Sequence, residues 1–106
     1  MTGDLKIAEV QERLREFIHE RGWEPFQTPK NLAMALSVET AELVELFQWL
    51  TPEASMQTGD HLPAQRVGEE MADILIYMMT MARILGIDLA DAVDRKIEAN
   101  GRKYPV

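Results

Sequence analysis

Residues 32–50 read LAMALSVETAELVELFQWL, and their leucines recur at the spacing of an α-helix. At about 100° per residue, five of them fall on one stripe that can face a core: Leu32, Leu36, Leu43, Leu46 and Leu50. Glu39 lies in the middle of this stripe, and Glu42 lies at its edge one turn later. Because burying an unpaired carboxylate is costly, Glu39 is expected to be protonated, ion-paired or bound to a metal.

A second helix is predicted over about residues 64–85, and its segment 69–85 reads EEMADILIYMMTMARIL and is apolar nearly all round. Its predicted core stripe contains Val67, Met71, Ile74, Met78, Met81 and Leu85, with Glu70, Asp73 and Tyr77 along one flank. Such a helix is typically buried on several sides. Three other helices in so small a chain cannot cover it, so we expect a homo-oligomer, either a dimer or a tetramer.

Glycine and proline divide the chain into four predicted helices. These span about residues 4–21, 29–50, 64–85 and 88–100, with Asp88 as the cap of the last and a loop at 51–63. Alternation of apolar and polar residues persists nowhere between turn signals, so no strand is expected. The 106 residues are enough for one domain, 1–106, which we predict to be an all-α four-helix bundle.

Composition narrows the possible environments and partners. The formal charge of −7 argues against phosphate-driven nucleic-acid binding, which needs clustered Lys and Arg. The densest apolar segment, 74–79, is too short to span a membrane, and residues 1–17 lack the apolar stretch of a secretory signal. There is no Cys, which fits a reducing interior, so a cytoplasmic protein is expected.

The two predicted helices each carry an acidic pair at i, i+3, and packing them together would place four carboxylates in one pocket: Glu39, Glu42, Glu70 and Asp73. Hard divalent cations best relieve the resulting repulsion. All-oxygen ligation favours Mg²⁺ or Mn²⁺ over Zn²⁺. His19 and His61 lie outside both pairs, which weakens a di-iron interpretation. The alternative, solvated helix faces, is preferred for Glu45 and Glu69.

Five segments of the sequence match a known family in unbroken order. They are WEPF at 23–26, PKNL at 29–32, ETAELVELFQW at 39–49, EEMADILIY at 69–77 and KIEANGRKYP at 96–105. The sequence resembles the MazG-like all-α nucleoside triphosphate pyrophosphohydrolases, in the branch that contains dCTP pyrophosphatase. The resemblance implies that the four carboxylates bind Mg²⁺. It also implies hydrolysis of a nucleoside triphosphate between the α and β phosphates. Chemically, either Glu39 or Glu42 can serve as the general base of that reaction.

Further residues are candidates for substrate contact. Aromatic rings stack on nucleobases, and the resemblance ranks Trp23 and Tyr77 above Phe26 and Trp49. Lys96, Asn100 and Lys103 share a face of the last helix with Leu89 and Val93, and are expected to meet phosphate or sugar oxygens. The alternative is that these cations only complement the helix C-terminus.

Position 14 bears on the preferred base. Leu14 stands where animal members of the branch are expected to carry a His. The preferred substrate therefore stays open between pyrimidine dNTPs and modified dNTPs, which the enzyme would remove in a house-cleaning role. Two other functions compete with this one: an inactive oligomeric interaction module, and an enzyme that acts on phosphoribosyl-ATP. The module is disfavoured because all four acids are present.

Overall fold

The computed structural model describes residues 3–106 and contains four α-helices within that range. They are α1 (Ile7–Glu20), α2 (Pro29–Phe47), α3 (Ala64–Leu85) and α4 (Leu89–Lys103), with short 3-10 turns at Glu24–Phe26 and Ala54–Met56. No strand forms among these residues, and the only β-type pairing described is an isolated bridge between Gly59 and Leu62. The prediction of an all-α, four-helix fold is therefore confirmed.

The helix ends follow from local chemistry. Pro29 opens α2 directly after Thr28, whose hydroxyl accepts a backbone N–H of the first turn at 3.2 Å. Gly86 ends α3 in the left-handed conformation at φ 67°, which favours glycine. Asp88 then caps α4 by accepting the N–H of Asp91 at 3.0 Å. These starts and stops lie where the sequence predicts them.

Three predicted boundaries differ from the structure. Helix α1 begins at Ile7 rather than near residue 4, and α2 ends at Phe47, three residues before Leu50. Helix α4 continues through Gly101 to Lys103, because a single glycine costs a helix only about 1 kcal/mol and does not have to end it.

Helix α3 is the centre of the bundle, since both α1 and α2 pack against it. The buried apolar side chains come from α1, α2, α3 and the 51–63 loop: Ile18, Leu32, Leu62, Met79 and Ala82. Because the loop contributes Leu62, which is 2 % exposed, its C-terminal end is part of the core.

The predicted core stripe of α3 is wrong for about half of its members. Met71, Met78 and Leu85 are 57 %, 37 % and 52 % exposed, whereas Glu70 and Thr80 are buried. Since α3 is apolar nearly all round, hydrophobicity alone does not identify the side that α1 and α2 cover. The buried positions on α3 are Glu70, Met79, Thr80 and Ala82, which do not all lie on one side of the helix.

Helix α4 lies mostly exposed, and Val93 and Ile97 on it are 50 % and 64 % exposed. The face of α4 that carries Val93 is therefore not buried within a single chain, because α4 makes few contacts with the other helices. Among the residues described, no helix is both long enough and apolar enough to cross a bilayer.

Candidate active site

The carboxylates predicted to form a metal site converge where α2 packs on α3. One carboxylate oxygen each from Glu39, Glu70 and Asp73 lies within 4.8 Å of the other two. Glu42, one turn after Glu39 on α2, is close enough to raise the pKa of both Glu39 and Glu70. Glu39, Glu70 and Asp73 thus form an acidic cluster with Glu42 beside it, and a metal site there stays a prediction.

Burial and mutual repulsion disfavour the charged forms of these acids. The pKa of Glu39 is raised to about 7, chiefly by burial and then by Glu70, Glu42 and Asp73. Burial also raises the pKa of Glu70, which is 9 % exposed. The Oε2 atoms of Glu39 and Glu70 are buried, and neither has a hydrogen-bond partner among residues 3–106.

These two buried oxygens test whether the cluster suits a cation. A buried acceptor without a partner is destabilising, and no Lys or Arg forms an ion pair with any acid of the cluster in the described chain. Carboxylate oxygens converging from two helices are the donor set that Mg²⁺ and Mn²⁺ prefer. The residues present therefore fit a hard divalent cation.

A cavity of about 310 Å³ adjoins the acidic cluster. Its walls come from α1, from the segment after α1 and from α3: Leu14, Phe17, Ile18, Trp23, Gln27, Asp73, Ile76, Tyr77 and Thr80. Asp73 belongs to both the cluster and the cavity wall, so the two are continuous. Burial raises the pKa of the Tyr77 phenol, and the charges of Glu39 and Asp73 raise it further, which keeps Tyr77 neutral beside the acids.

Trp23 is held at the cavity wall by several contacts. Its backbone N–H donates to the carbonyl of Ile18 at 3.1 Å. Its ring meets that of Phe17 edge-on, with centroids 5.8 Å apart at 71°. The guanidinium of Arg21 lies 3.4 Å from the centroid of the Phe17 ring. Trp23 remains 44 % exposed, so part of its indole is available to a ligand.

Comparison with known proteins agrees with this architecture. The sequence profile of the MazG-like family matches residues 34–106. The chain belongs to the MazG-like family. It is 40 % identical over 107 residues to dCTP pyrophosphatase 1 of Bos taurus, covering 99 % of this chain and 63 % of the relative. It is 39 % identical over 100 residues to dCTP pyrophosphatase 1 of Homo sapiens, covering 93 % of this chain and 59 % of the relative.

The chain thus spans about six-tenths of the length of these relatives. A solved structure matches over nearly its whole length: a pyrophosphatase from Archaeoglobus fulgidus, with a TM-score of 0.87 and 39 % identity. The match covers 100 % of this chain and 98 % of that one. The resemblance to the MazG-like family is therefore confirmed, and so is the four-helix fold.

In this MazG-like chain the structure brings together six of the ten predicted site residues. Glu39, Glu70 and Asp73 form the cluster, Glu42 lies beside it, and Trp23 and Tyr77 line the adjoining cavity. Trp49 is 88 % exposed after the end of α2 and does not line the cavity. The α4 residues Lys96, Asn100 and Lys103 are exposed and do not line it either, so their proposed contacts with substrate stay predictions.

The sequence interpretation missed Gln27 and Thr80 as cavity residues. Thr80 follows Tyr77 by three residues and Asp73 by seven, so helical spacing places all three on one face of α3. Gln27 lies between two of the segments that match the family. A helical-wheel comparison could have found Thr80, but only the fold of the 22–28 segment places Gln27 at the cavity.

Proposed function

We propose that this chain is a Mg²⁺-dependent nucleoside triphosphate pyrophosphohydrolase that releases pyrophosphate and the nucleoside monophosphate. The observation that carries the proposal is the continuity of the acidic cluster with the aromatic cavity through Asp73. A triphosphate at the acids and a base in the cavity would occupy both parts of one site. The relatives named dCTP pyrophosphatase 1 and the similar pyrophosphatase structure support the same reaction class.

The acids would hold the metal, with Mn²⁺ as a possible substitute, through Glu39, Glu42, Glu70 and Asp73. Bound there, Mg²⁺ offsets phosphate charge and lowers the pKa of a coordinated water. Either Glu39 or Glu42 would accept the proton of the attacking water as general base. Trp23 and Tyr77 would hold the base next to the acids, which orients the phosphate chain toward them.

For the substrate we propose a pyrimidine or modified dNTP, removed in a house-cleaning role. The cavity lies near the lower end of the roughly 300–1,000 Å³ found for ligand pockets, which suits a single-ring base.

We also propose a homodimer or homotetramer, because a second copy of the chain would bury exposed apolar side chains on α3 and α4, such as Met71 and Ile97. Sedimentation of the purified chain would measure its assembly state.

The deciding experiment is a panel of standard and modified dNTPs and NTPs, assayed with Mg²⁺ for pyrophosphate and orthophosphate separately. We expect pyrophosphate with the matching monophosphate, and loss of turnover when EDTA removes the metal. Release of orthophosphate alone, or no turnover of any triphosphate, would contradict the proposal. An inactive interaction module would show no turnover, and an enzyme of the phosphoribosyl-ATP type would act on that compound and not on dNTPs.

A further inference from the structure

We infer that Gln27 is a specificity-determining residue, whose side-chain amide binds the polar edge of the base and lets the site accept both amino- and keto-pyrimidines. This inference rests on the proposed function, because it concerns the base of that substrate. In this inference Gln27 and Thr80 supply the hydrogen bonds to the base that no side chain of α1 can supply.

The backbone of Gln27 is fixed on both sides. Its N–H donates to the carbonyl of Glu24 at 3.0 Å, which closes the 3-10 turn that carries Trp23 at its start. The next residue, Thr28, caps α2. Gln27 is half-buried and lines the cavity together with Trp23 and Tyr77. Its side chain is therefore presented to the cavity from an ordered segment.

Helix α1 supplies no polar side chain to the cavity. Helix α1 contributes only Leu14, Phe17 and Ile18 to the cavity. On α3, Asp73 is part of the acidic cluster, and the Tyr77 phenol is close enough to that cluster for its pKa to be raised by the charges. Besides the indole N–H of Trp23, which can only donate, the polar side-chain groups left for the base are the Gln27 amide and the Thr80 hydroxyl.

The Gln27 amide is available for a ligand. The side-chain hydrogen bonds of this segment use its neighbours instead: Asn31 Nδ2 donates to the carbonyl of Phe26 at 3.3 Å, and the Asn31 N–H donates to Thr28 Oγ1. No side-chain hydrogen bond of Gln27 is formed with any residue in the described part of the chain. A ligand that fills the cavity must pair with this amide or leave it desolvated, which is unfavourable.

A Gln amide and a Thr hydroxyl can each present either a donor or an acceptor to the same ligand atom. The Gln oxygen accepts and its NH₂ donates, so the pair matches the amino group and N3 of cytosine. Rotation of the amide by half a turn matches the N3–H and O4 of uracil or thymine equally well. The Thr80 hydroxyl also donates or accepts as needed. Sites with fixed polarity reject the wrong group strongly, whereas the Gln27 amide and the Thr80 hydroxyl can adapt to either base.

The experiment compares the wild type, Gln27→Met and the control Gln65→Met, which changes an exposed glutamine at the start of α3. The measurements are kcat/KM for dCTP and for dUTP, and inhibition by inorganic tripolyphosphate with Mg²⁺. We expect wild-type values for dCTP and dUTP within about tenfold of each other. Met has nearly the length of Gln but no amide, so Gln27→Met should lower both values by about 5- to 150-fold, as expected for a bidentate pair.

The other readouts separate base recognition from damage to the fold. Tripolyphosphate has no base, so its inhibition constant should be unchanged in Gln27→Met, and Gln65→Met should match the wild type throughout. Three results would overturn the inference: wild-type discrimination beyond about a hundredfold between dCTP and dUTP, unchanged kcat/KM in Gln27→Met, or equally weakened tripolyphosphate inhibition. A wild type inactive on every triphosphate would instead contradict the proposed function, so the two failures are distinguishable.

Discussion

Replacing Glu39 by Gln should stabilise the metal-free protein while removing its response to Mg²⁺. Oxygens of Glu39, Glu70 and Asp73 lie within 4.8 Å of one another. Two unit charges at that separation repel by about 1 kcal/mol in water and about 3.5 kcal/mol at an effective dielectric constant of ~20. The site is only partly buried, so we expect a gain in the free energy of unfolding of about 1–3 kcal/mol. For a chain of this size that raises Tm by roughly 5–20 °C.

The assay is thermal unfolding in EDTA at pH 8.5, where Glu39 is ionised in the wild type because its pKa is about 7. The matched control is Glu45→Gln, on the same helix but exposed. Added Mg²⁺ should raise the Tm of the wild type, because a ligand at a hundred times its Kd adds about 2.7 kcal/mol to the free energy of unfolding. It should raise the Tm of Glu39→Gln much less, since a neutral amide is a weaker ligand for a hard cation.

The same carboxyl sets a pH dependence. Folding raises the pKa of Glu39 from its ordinary 4.5 to about 7, so the folded state holds this proton more tightly than the unfolded state. Its contribution to stability is complete below pH 4.5 and is lost as the pH rises through about 7. Between these pH values the metal-free Tm of Glu39→Gln should therefore fall less than that of the wild type. A Tm at or below that of the wild type at pH 8.5, with Glu45→Gln unchanged, would refute the reasoning.

Three further outcomes follow from the site and the core. Glu42→Gln and Asp73→Asn should each abolish pyrophosphate release while circular dichroism stays native, and retained activity in both would show that the site is misplaced. Trp23→Leu should raise KM for dNTPs by about 5- to 150-fold, since stacking contributes about 1–3 kcal/mol per base, with tripolyphosphate inhibition unaffected; a weakened inhibition would instead indicate a disturbed fold. Leu32→Ala should lower the free energy of unfolding by about 2–5 kcal/mol, because Leu32 is 2 % exposed, whereas Met34→Ala, at a 59 % exposed position, should change it little in urea titration.

Helical periodicity was sufficient to predict the four helices and the two acidic pairs of the site. The spacing of the leucines around Glu39 predicts a half-buried acid on α2, and the i, i+3 spacing of Glu70 and Asp73 predicts a second pair on α3. Both predictions depend only on which residues share a face of a helix. That property is local, so the structure agrees with them.

Tertiary structure was needed wherever two faces of one helix look alike. On α3 the predicted stripe included Met71, yet Met71 is exposed while Glu70 and Thr80 are buried. Apolar residues on every side give hydrophobicity no preferred direction, so only the partner helices select one. Likewise, α4 is amphipathic in sequence but lies mostly exposed, because amphipathicity does not say what will cover the apolar side.

The sequence by itself thus determined the four helices, the starts of α2 and α4, the end of α3 and the acidic pairs, since each depends on contacts within about one helical turn. Only the tertiary structure decided that the two pairs share one cluster, that this cluster opens through Asp73 into an aromatic cavity, and that Gln27 lines that cavity. Those features join residues far apart in the chain, and their positions depend on how α1, α2 and α3 pack.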